Sequence, residues 1–429
     1  MGLFVESVFS KDIKAALSQP WFVAVLLIAM APGLHAIATW DLDGRLSSAA
    51  FAVRHYSYMV VLVEILVIWL ALRNDLSFSN AFLELPKLVR TLLALWLTFS
   101  LIALFSTMVG LSNAVFTLAR YLTHGFFLVS LVHLLNQSNK YDIQTALKIL
   151  SAGAVVYVIL LTIFCVLVPN PKDFPWVIRV PSATNIRQIG NNVGLLAIAP
   201  VTLMLAFKSR AFCGPAIAFV IILSFATWTG SRATLLGLFF GIACGLVIVR
   251  NFTTLKNMAS AVVAAFLSIL ISVAMPVPDP TFGLFRLVKA SGEQDDPSSG
   301  RWELWAQTWQ QISQSPWIGH GAGRYRDDMN LHYGTTWNHP HNFILQYLYD
   351  WGFLGGSIAL ILLAILGAEI LRKTKAEPLL RFVAITAFCA ICATAMIDSP
   401  LFHPLPIMIA LTLIAPVFAI TKESLPNSR

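Results

Sequence analysis

The sequence predicts an all-α integral membrane protein with about twelve transmembrane helices and one long outer loop between the ninth and tenth spans. The chain is 57% hydrophobic and only 12% charged, whereas soluble domains carry roughly 25% charged residues. Apolar runs recur along its whole length, and each is about long enough to cross a bilayer core as a helix. The runs do not alternate as barrel strands do, so only helices fit. We therefore expect residues 1–429 to form a single polytopic membrane domain.

The twelve predicted spans follow one another without an internal repeat. They cover residues 20–39, 57–72, 92–110, 113–135, 147–168, 191–207, 213–229, 233–249, 258–275, 343–371, 379–397 and 402–420. The tenth run is too long for one straight span. We expect it to begin as an interfacial segment, to turn at Gly352, and to cross the membrane from Phe353 onward. No cleaved signal peptide is expected, because residues 1–18 are amphipathic.

The distribution of lysine and arginine predicts the orientation. Alternate loops and the termini hold seventeen of them, and the short loops on the other side hold six: Arg45, Arg54, Lys172, Arg179, Arg187 and Arg232. The positive-inside rule then places both termini in the cytoplasm. The net charge of +8 is explained by this asymmetry and does not argue for nucleic acid.

The long loop, residues 276–342, lies outside in this topology. Turn-forming residues cluster in it at 275–280 and 295–300. Between them and the loop's end, residues 302–313 place Trp302, Trp305 and Trp309 at helical spacing. The spacing predicts an amphipathic helix on the outer membrane surface, where tryptophan is favoured.

Four arginines lie where an outer loop meets an apolar or helical segment. They are Arg187, Arg232, Arg301 and Arg324. Charges at such borders are costly and are candidates for function. Guanidinium groups present paired donors that match phosphate oxygens, so a converging set suits a lipid diphosphate. For each arginine taken alone, a structural ion pair or a lipid-headgroup contact is an equal alternative.

A cluster of titratable groups, residues 337–342, ends the loop directly before an apolar run. His341 could take a proton from a hydroxyl, since imidazole titrates near neutral pH. His339 and Asn342 could support it. Two alternatives are a purely structural cluster and a metal site. The third ligands of a metal would have to come from His320, Asp327, Asp328 or His332, none at a recognised spacing.

Two other patterns favour structural readings. The Asp41-Leu42-Asp43 triplet could hold a divalent cation, but Gly44 follows it and the segment is typical of a turn. All five cysteines lie in or beside apolar runs, and Cys389 and Cys392 have no nearby histidine or acidic ligand. We expect the cysteines to pack as small apolar residues, and we expect no metal or other cofactor.

Several short motifs together resemble the O-antigen ligase and polymerase superfamily. His341-Asn342 is followed after nine residues by Gly352-Phe353-Leu354-Gly355. Further matches are Pro316-Trp317-Ile318-Gly319-His320-Gly321, Ser299-Gly300-Arg301 and Ser231-Arg232. The layout of twelve spans with a long loop after the ninth is similar to that of the family. The resemblance covers spans six to ten.

The resemblance implies transfer of a glycan from undecaprenyl diphosphate to an acceptor at the periplasmic face of the bacterial inner membrane, without nucleotide or metal. It implies that His341 is the general base and that Arg187, Arg232 and Arg301 bind the diphosphate. In a ligase the acceptor is the lipid A–core oligosaccharide, and this is the predicted function. The partners expected are therefore the lipid-linked donor, the lipid A–core acceptor and membrane lipids.

Two alternatives stay open. A polymerase would extend lipid-linked repeat units, and Arg179 with Gly190 matches a spacing associated with polymerases. A transporter of lipid-linked sugars would also need arginines near a diphosphate, but it should carry basic residues deep within several spans. Arg120 is the one such candidate in the sequence.

Overall fold

The computed structural model describes residues 18–41, 57–105, 111–137, 142–176, 180–183, 185–206, 213–250, 252–275, 283, 300–335, 337–373 and 377–419. Across these residues the protein is helical, and its one β-type contact is an isolated bridge between Val180 and Ala183. The predicted all-α class is therefore confirmed.

Sixteen α-helices are described. They are α1 (Pro20–Ala38), α2 (Tyr58–Arg73), α3 (Phe78–Glu84), α4 (Lys87–Leu104), α5 (Leu111–Asn136), α6 (Ile143–Leu167), α7 (Ile186–Leu196), α8 (Ile198–Ala206), α9 (Cys213–Trp228), α10 (Arg232–Ile248), α11 (Leu255–Ala274), α12 (Arg301–Gln314), α13 (Tyr325–Tyr333), α14 (Phe343–Lys373), α15 (Pro378–Ala395) and α16 (Pro404–Ile414). Short 3₁₀ turns, Pro400–Phe402 and Ala415–Val417, flank α16.

Each predicted span coincides with one or two of these helices. In the described part of the chain, eight helical segments are long and apolar enough to cross a membrane. Three shorter apolar helices follow the same pattern, Cys213–Trp228, Arg232–Ile248 and Pro404–Val417. Helix α2, which carries Glu64, is in neither group. The chain is a multi-pass membrane protein, while twelve spans and their orientation stay predictions.

The helices differ from the sequence-based expectation in two respects and agree with it in a third. The predicted sixth span consists of α7 and α8, with a break at Ala197. Helices α3 and α13 were not predicted, because at 7 and 9 residues they are too short to show a periodic pattern. The predicted amphipathic helix 302–313 is confirmed as α12.

Helix α14 is broken where the sequence predicts a turn. Gly352 has φ 62° and ψ −170°, a conformation outside the helical region and open to glycine. The break divides α14 into a short first half, residues 343–351, and a longer second half, residues 353–373. The predicted turn at Gly352 is confirmed.

The break in α14 is held by a backbone clasp, which we define as residues 316–321 paired with residues 349–354. Four main-chain hydrogen bonds form it: His320 N to Tyr349 O, Gly321 N to Asp350 O, Phe353 N to Pro316 O, and Leu354 N to Trp317 O. The two chains touch at Gly319 and Gly352. A Cβ on Gly352 would lie 2.4 Å from the carbonyl carbon of Trp317, so no larger residue fits there.

A large core of apolar side chains joins α1, α2, α5 to α9, α15 and α16. Helices α10 and α15 pack together along their lengths. This packing brings the turn after α15 close to the beginning of α10. Helix α12 packs against α14, and Trp305 of α12 is hydrogen-bonded to Pro340 O, so that α12 lies beside residues 337–342.

Candidate active site

His341 lies at the junction between the loop and α14, in a conformation that few side chains adopt. Its φ is 53°, in the left-handed region, which is unfavourable for a residue with a Cβ. The next residue, Asn342, fixes the junction. Its Oδ1 accepts from the backbone nitrogens of Ile344 and Leu345 at 3.0 and 3.1 Å, and its Nδ2 donates to Met396 O at 3.2 Å. Asn342 thus caps α14 and ties it to the end of α15.

The ring of His341 is oriented by Asp398, which follows α15. Nδ1 of His341 donates to Oδ1 of Asp398 at 3.0 Å, and both side chains are largely buried. Among the described residues, Nε2 of His341 has no hydrogen-bond partner. Because the proton is held on Nδ1, Nε2 is the nitrogen with a lone pair for an incoming proton.

Asp398 is itself held by two further donors. Asn191 Nδ2 donates to its Oδ2 at 3.0 Å, and Ser399 N donates to its Oδ1 at 2.9 Å. Burial acts to raise the pKa of Asp398, but the hydrogen bond from His341, its electrostatic interaction with the imidazole and the hydrogen bond from Asn191 outweigh it. The pKa of Asp398 is therefore held well below its usual range, and the carboxylate stays ionised beside the imidazole.

A second layer of contacts places Asn191. Thr234 Oγ1 donates to Asn191 Oδ1 at 2.7 Å and lies 2.8 Å from Ser231 Oγ. Helix α7 approaches α10 closely here, since a Cβ on Gly190 would lie 2.7 Å from Thr229 Oγ1 and 2.8 Å from Ser231 Cβ. Gly190, half of the polymerase-type spacing, therefore has a packing reason to be glycine, and Arg179 lies outside the described residues.

Three of the four predicted arginines are brought to the same place. Arg187 lies in the first turn of α7, and Arg232 and Arg301 are the first residues of α10 and α12. Arg187 interacts electrostatically with Asp398, Arg301 and Arg232. Helix N-termini are themselves favourable for anions. Three half-buried guanidinium groups at three N-termini form a positively charged cluster, the arginine pocket, and two of them interact electrostatically with Asp398, the partner of His341.

The three arginines have no acidic ion-pair partner in the described part of the chain. Within the described chain, none of them has a carboxylate oxygen within 4.0 Å. Burial, together with the charge of Arg232, lowers the pKa of Arg301, and the charge of Asp398 partly offsets this. Like charges held together without a close counter-ion favour an added anion at this place.

Arg324 lies elsewhere. Its guanidinium is buried, and it donates from Nη1 to His320 O at 3.0 Å and from Nη2 to Leu104 O at 2.7 Å. Its electrostatic neighbours are Asp328 and Tyr349. The structure does not bring Arg324 together with the other three arginines. Instead, Arg324 anchors the clasp to the end of α4, so its predicted supporting role could only be indirect.

His339 packs among aromatic rings beside His341. Its ring centroid lies 4.5 Å from that of His341, 5.6 Å from that of His403 and 5.8 Å from the stacked ring of Phe402. Burial, with the nearby His341 and His403, lowers the pKa of His339 well below its usual value. His339 is therefore a neutral ring that packs against the face of His341.

The metal alternatives have little geometric support. Among the described residues, no group of three histidine, cysteine, aspartate or glutamate side chains is arranged to hold a metal ion. His320 and Asp328 lie 3.6 Å apart, away from the His341 cluster. Of the aspartate triplet in the first outer loop, only Asp41 is described, so residues 42–44 lie outside the described chain.

Sequence reasoning missed Asp398, Asn191 and Thr234. Asp398 was detectable, because a carboxylate at the border of an apolar span is a candidate for function by the same argument that selected the arginines. Asn191 and Thr234 are uncharged, so the same argument did not select them as candidates for function. Asn191 and Asp398 are separated by 207 residues, and only the packing of α7, α10 and α15 joins them.

Comparison with known families gives a match, which covers part of the chain. Residues 217–360, about a third of the chain, match the profile of the family described as O-antigen ligase. The matched segment contains Arg232, Arg301 and His341, whereas Arg187 and Asp398 lie outside it. No curated protein matches the chain. Residues 217–360 are thus similar to the O-antigen ligase family, and this similarity confirms the resemblance that the motifs predicted.

Proposed function

We propose that this protein is an O-antigen ligase, a membrane glycosyltransferase. It transfers a glycan from undecaprenyl diphosphate to a sugar hydroxyl of the lipid A–core oligosaccharide. The family match supports a glycosyltransferase of the O-antigen ligase or polymerase type. The observation that carries the proposal is the oriented His341–Asp398 pair next to the pocket of Arg187, Arg232 and Arg301.

The base acts through Nε2 of His341. Nε2 accepts the proton of the acceptor hydroxyl while the hydroxyl oxygen attacks the anomeric carbon of the donor. The new glycosidic bond forms as the bond from that carbon to the phosphate oxygen breaks, and the diphosphate leaves with the electron pair. The imidazolium that results is stabilised by the ionised Asp398, and its proton is then lost to water. A single displacement of this kind inverts the anomeric centre.

The arginines act on the leaving group. Negative charge builds on the bridging oxygen as the glycosyl bond breaks, and fixed guanidinium groups stabilise it more in the transition state than in the ground state. Diphosphate is already a good leaving group, so this electrostatic stabilisation is sufficient without a metal ion. Arg187, Arg232 and Arg301 are the residues proposed to bind it.

The proposal includes the orientation. The loop 276–342 and the active site face the periplasm, both termini lie in the cytoplasm, and the membrane is the bacterial inner membrane. Labelling of single cysteines introduced at exposed positions would test this orientation. Reaction of a cysteine at Trp302 with an impermeant reagent in intact spheroplasts is expected, and protection of that position would contradict the topology.

Reconstitution tests the reaction itself. Purified protein, lipid-linked glycan and lipid A–core acceptor should yield one transferred chain per acceptor. Lengthening of the lipid-linked glycan without transfer to lipid A–core would instead establish the polymerase alternative. Retained transfer by both His341→Ala and Arg232→Ala would overturn the mechanism.

The same assay separates the enzyme from a transporter. A transporter forms no bond, so turnover in detergent excludes it. The interior charge that could have favoured transport, Arg120, has Glu64 and Asp350 as electrostatic neighbours. Two acidic neighbours favour a part for Arg120 in the charge balance of the bundle over a part in transport.

A further inference from the structure

Three tryptophans lie near the candidate base: Trp337 contacts its ring, and Trp305, which pairs with Trp302, is hydrogen-bonded to the loop that carries it. The ring of Trp337 meets that of His341 edge to face, with centroids 5.5 Å apart and planes at 87°. Trp302 and Trp305 form a second pair, 5.2 Å apart. Trp302 is 66% exposed and Trp337 is 40% exposed. We propose that these residues, the tryptophan platform, bind the apolar face of a pyranose ring of the acceptor glycan; this inference rests on the proposed function.

The platform is built onto the same loop as the base. Trp305 Nε1 donates to Pro340 O at 2.9 Å, and Pro340 lies between His339 and His341 in the chain. The indole of Trp305 is therefore fixed, and it holds Trp302 beside it. A rigid aromatic surface attached to the base can place a bound ring without ordering a flexible side chain.

The chemistry of a pyranose fits this surface. One face of the ring carries C–H groups, which are apolar and slightly positive, and the faces of aromatic rings are apolar and slightly negative. The hydroxyl groups lie at the edge of the sugar, where Nε2 of His341 can reach one of them. Binding sites for small ligands combine such apolar contact with a few placed polar groups.

The position favours the acceptor over the donor. The donor is held by its diphosphate in the arginine pocket, whereas Trp337 contacts the ring of His341 directly. His341 is the group that receives the proton of the acceptor hydroxyl. A ring stacked on Trp337 therefore presents its hydroxyl to the base.

A second aromatic group on the same elements behaves differently and provides a control. Trp309 and Trp317 each contact Phe353, with centroids 6.2 and 6.4 Å apart. Phe353 and the exposed Leu354 begin the second half of α14, which is predicted to cross the membrane. We expect this group to contact lipid. The tryptophan platform instead lies next to Arg301 in the chain and contacts His341.

The experiment measures binding of lipid-free core oligosaccharide to the His341→Ala protein in detergent, where no transfer occurs, by titration calorimetry. Trp337→Ala and Trp302→Ala should each weaken binding by about two- to tenfold, the range for one lost aromatic contact. Trp337→Phe should keep most of the affinity, and Trp309→Ala should keep all of it. In proteins with His341 intact, the platform variants should raise the KM for lipid A–core and leave the KM for the lipid-linked donor unchanged.

Four outcomes would overturn the inference. Unchanged affinity in both platform variants would show that the glycan binds elsewhere, while the proposed function would stand. A rise in donor KM alone would assign the tryptophans to the donor sugar. Strong quenching of Trp302 fluorescence by brominated acyl chains in vesicles would assign the platform to the lipid. Failure of the unsubstituted protein to bind or glycosylate any acceptor glycan would overturn the proposed function as well.

Discussion

The described residues contain two histidine–aspartate pairs, and only one has the geometry of a general base. In the first, His341 and Asp398 are 3.0 Å apart, and Nε2 of the imidazole has no partner among the described residues. In the second, His320 and Asp328 are 3.6 Å apart, and His320 Nε2 is 2.8 Å from Gln311 O. The second imidazole also stacks on Tyr349, with ring planes 10° apart.

The aspartates differ as well. Asp328 accepts a hydrogen bond from the hydroxyl of Tyr349, so it serves a structural contact. Asp398 is held by Asn191 and Ser399 in addition to His341, and the arginine pocket lies beside it. The comparison shows that the residue pair alone does not make a base. An open nitrogen and a nearby place for the leaving group are also required.

The largest difference is expected between alanine substitutions of the two histidines. His341→Ala should lower the transfer rate by about 10²- to 10⁴-fold, the usual contribution of a general base. His320→Ala should lower the thermal unfolding temperature but leave the rate of the folded protein within about threefold, because it removes structural contacts away from His341. Transfer assays on detergent-purified proteins with matched unfolding curves measure both. Equal losses of rate would remove the distinction between the pairs.

The aspartates provide the second test. Asp398→Asn keeps the shape of the side chain but loses the charge that stabilises the imidazolium, and it can favour the wrong tautomer of His341. A fall in kcat of about a hundredfold with little change in KM is expected. Asp328→Asn is the matched control and should change kcat only slightly. A normal kcat in Asp398→Asn would make the carboxylate a structural feature only.

Substitutions in the arginine pocket should affect the use of the lipid-linked donor. Arg187→Ala, Arg232→Ala and Arg301→Ala each remove charge-assisted hydrogen bonds to the diphosphate, so kcat/KM for the lipid-linked donor should fall by about tenfold or more. The exposed Arg326 on α13 offers a control, and Arg326→Ala should have no such effect. Arg324→Ala should reduce stability and leave donor recognition unchanged. Loss of donor recognition in Arg324→Ala would return that arginine to the site.

The smallest effect is on stability as a function of pH. The pKa of Asp398 in the folded protein lies below the value of about 3.9 for a free side chain, so its ionised form stabilises the fold above that value. This contribution is lost as the pH falls from about 4 toward the folded pKa. The difference in unfolding temperature between the unsubstituted protein and Asp398→Asn should therefore be largest near neutral pH and shrink toward pH 3. A gap that stays constant over this range would contradict the low pKa.

The sequence predicted the helices well, because length and hydropathy are local properties and each apolar run must satisfy its own backbone hydrogen bonds. It also placed the turn at Gly352 and the amphipathic helix α12. It could not predict contacts that depend on how helices pack. Arg324, like Arg301, follows a glycine at the start of a helix, yet its guanidinium donates a hydrogen bond to a carbonyl of α4. Asp398 reaches His341 only because α14 begins close to the place where α15 ends.

The clasp between Gly319 and Gly352 gives a physical reason for the short glycine motifs at 316–321 and 352–355. The contact is made by main-chain atoms, and it excludes any Cβ at its centre. Side chains around it can therefore drift in evolution while the two glycines cannot. Short glycine motifs of this kind record a steric constraint rather than a chemical one. We expect distant relatives to share the glycines before they share the residues that contact the sugar.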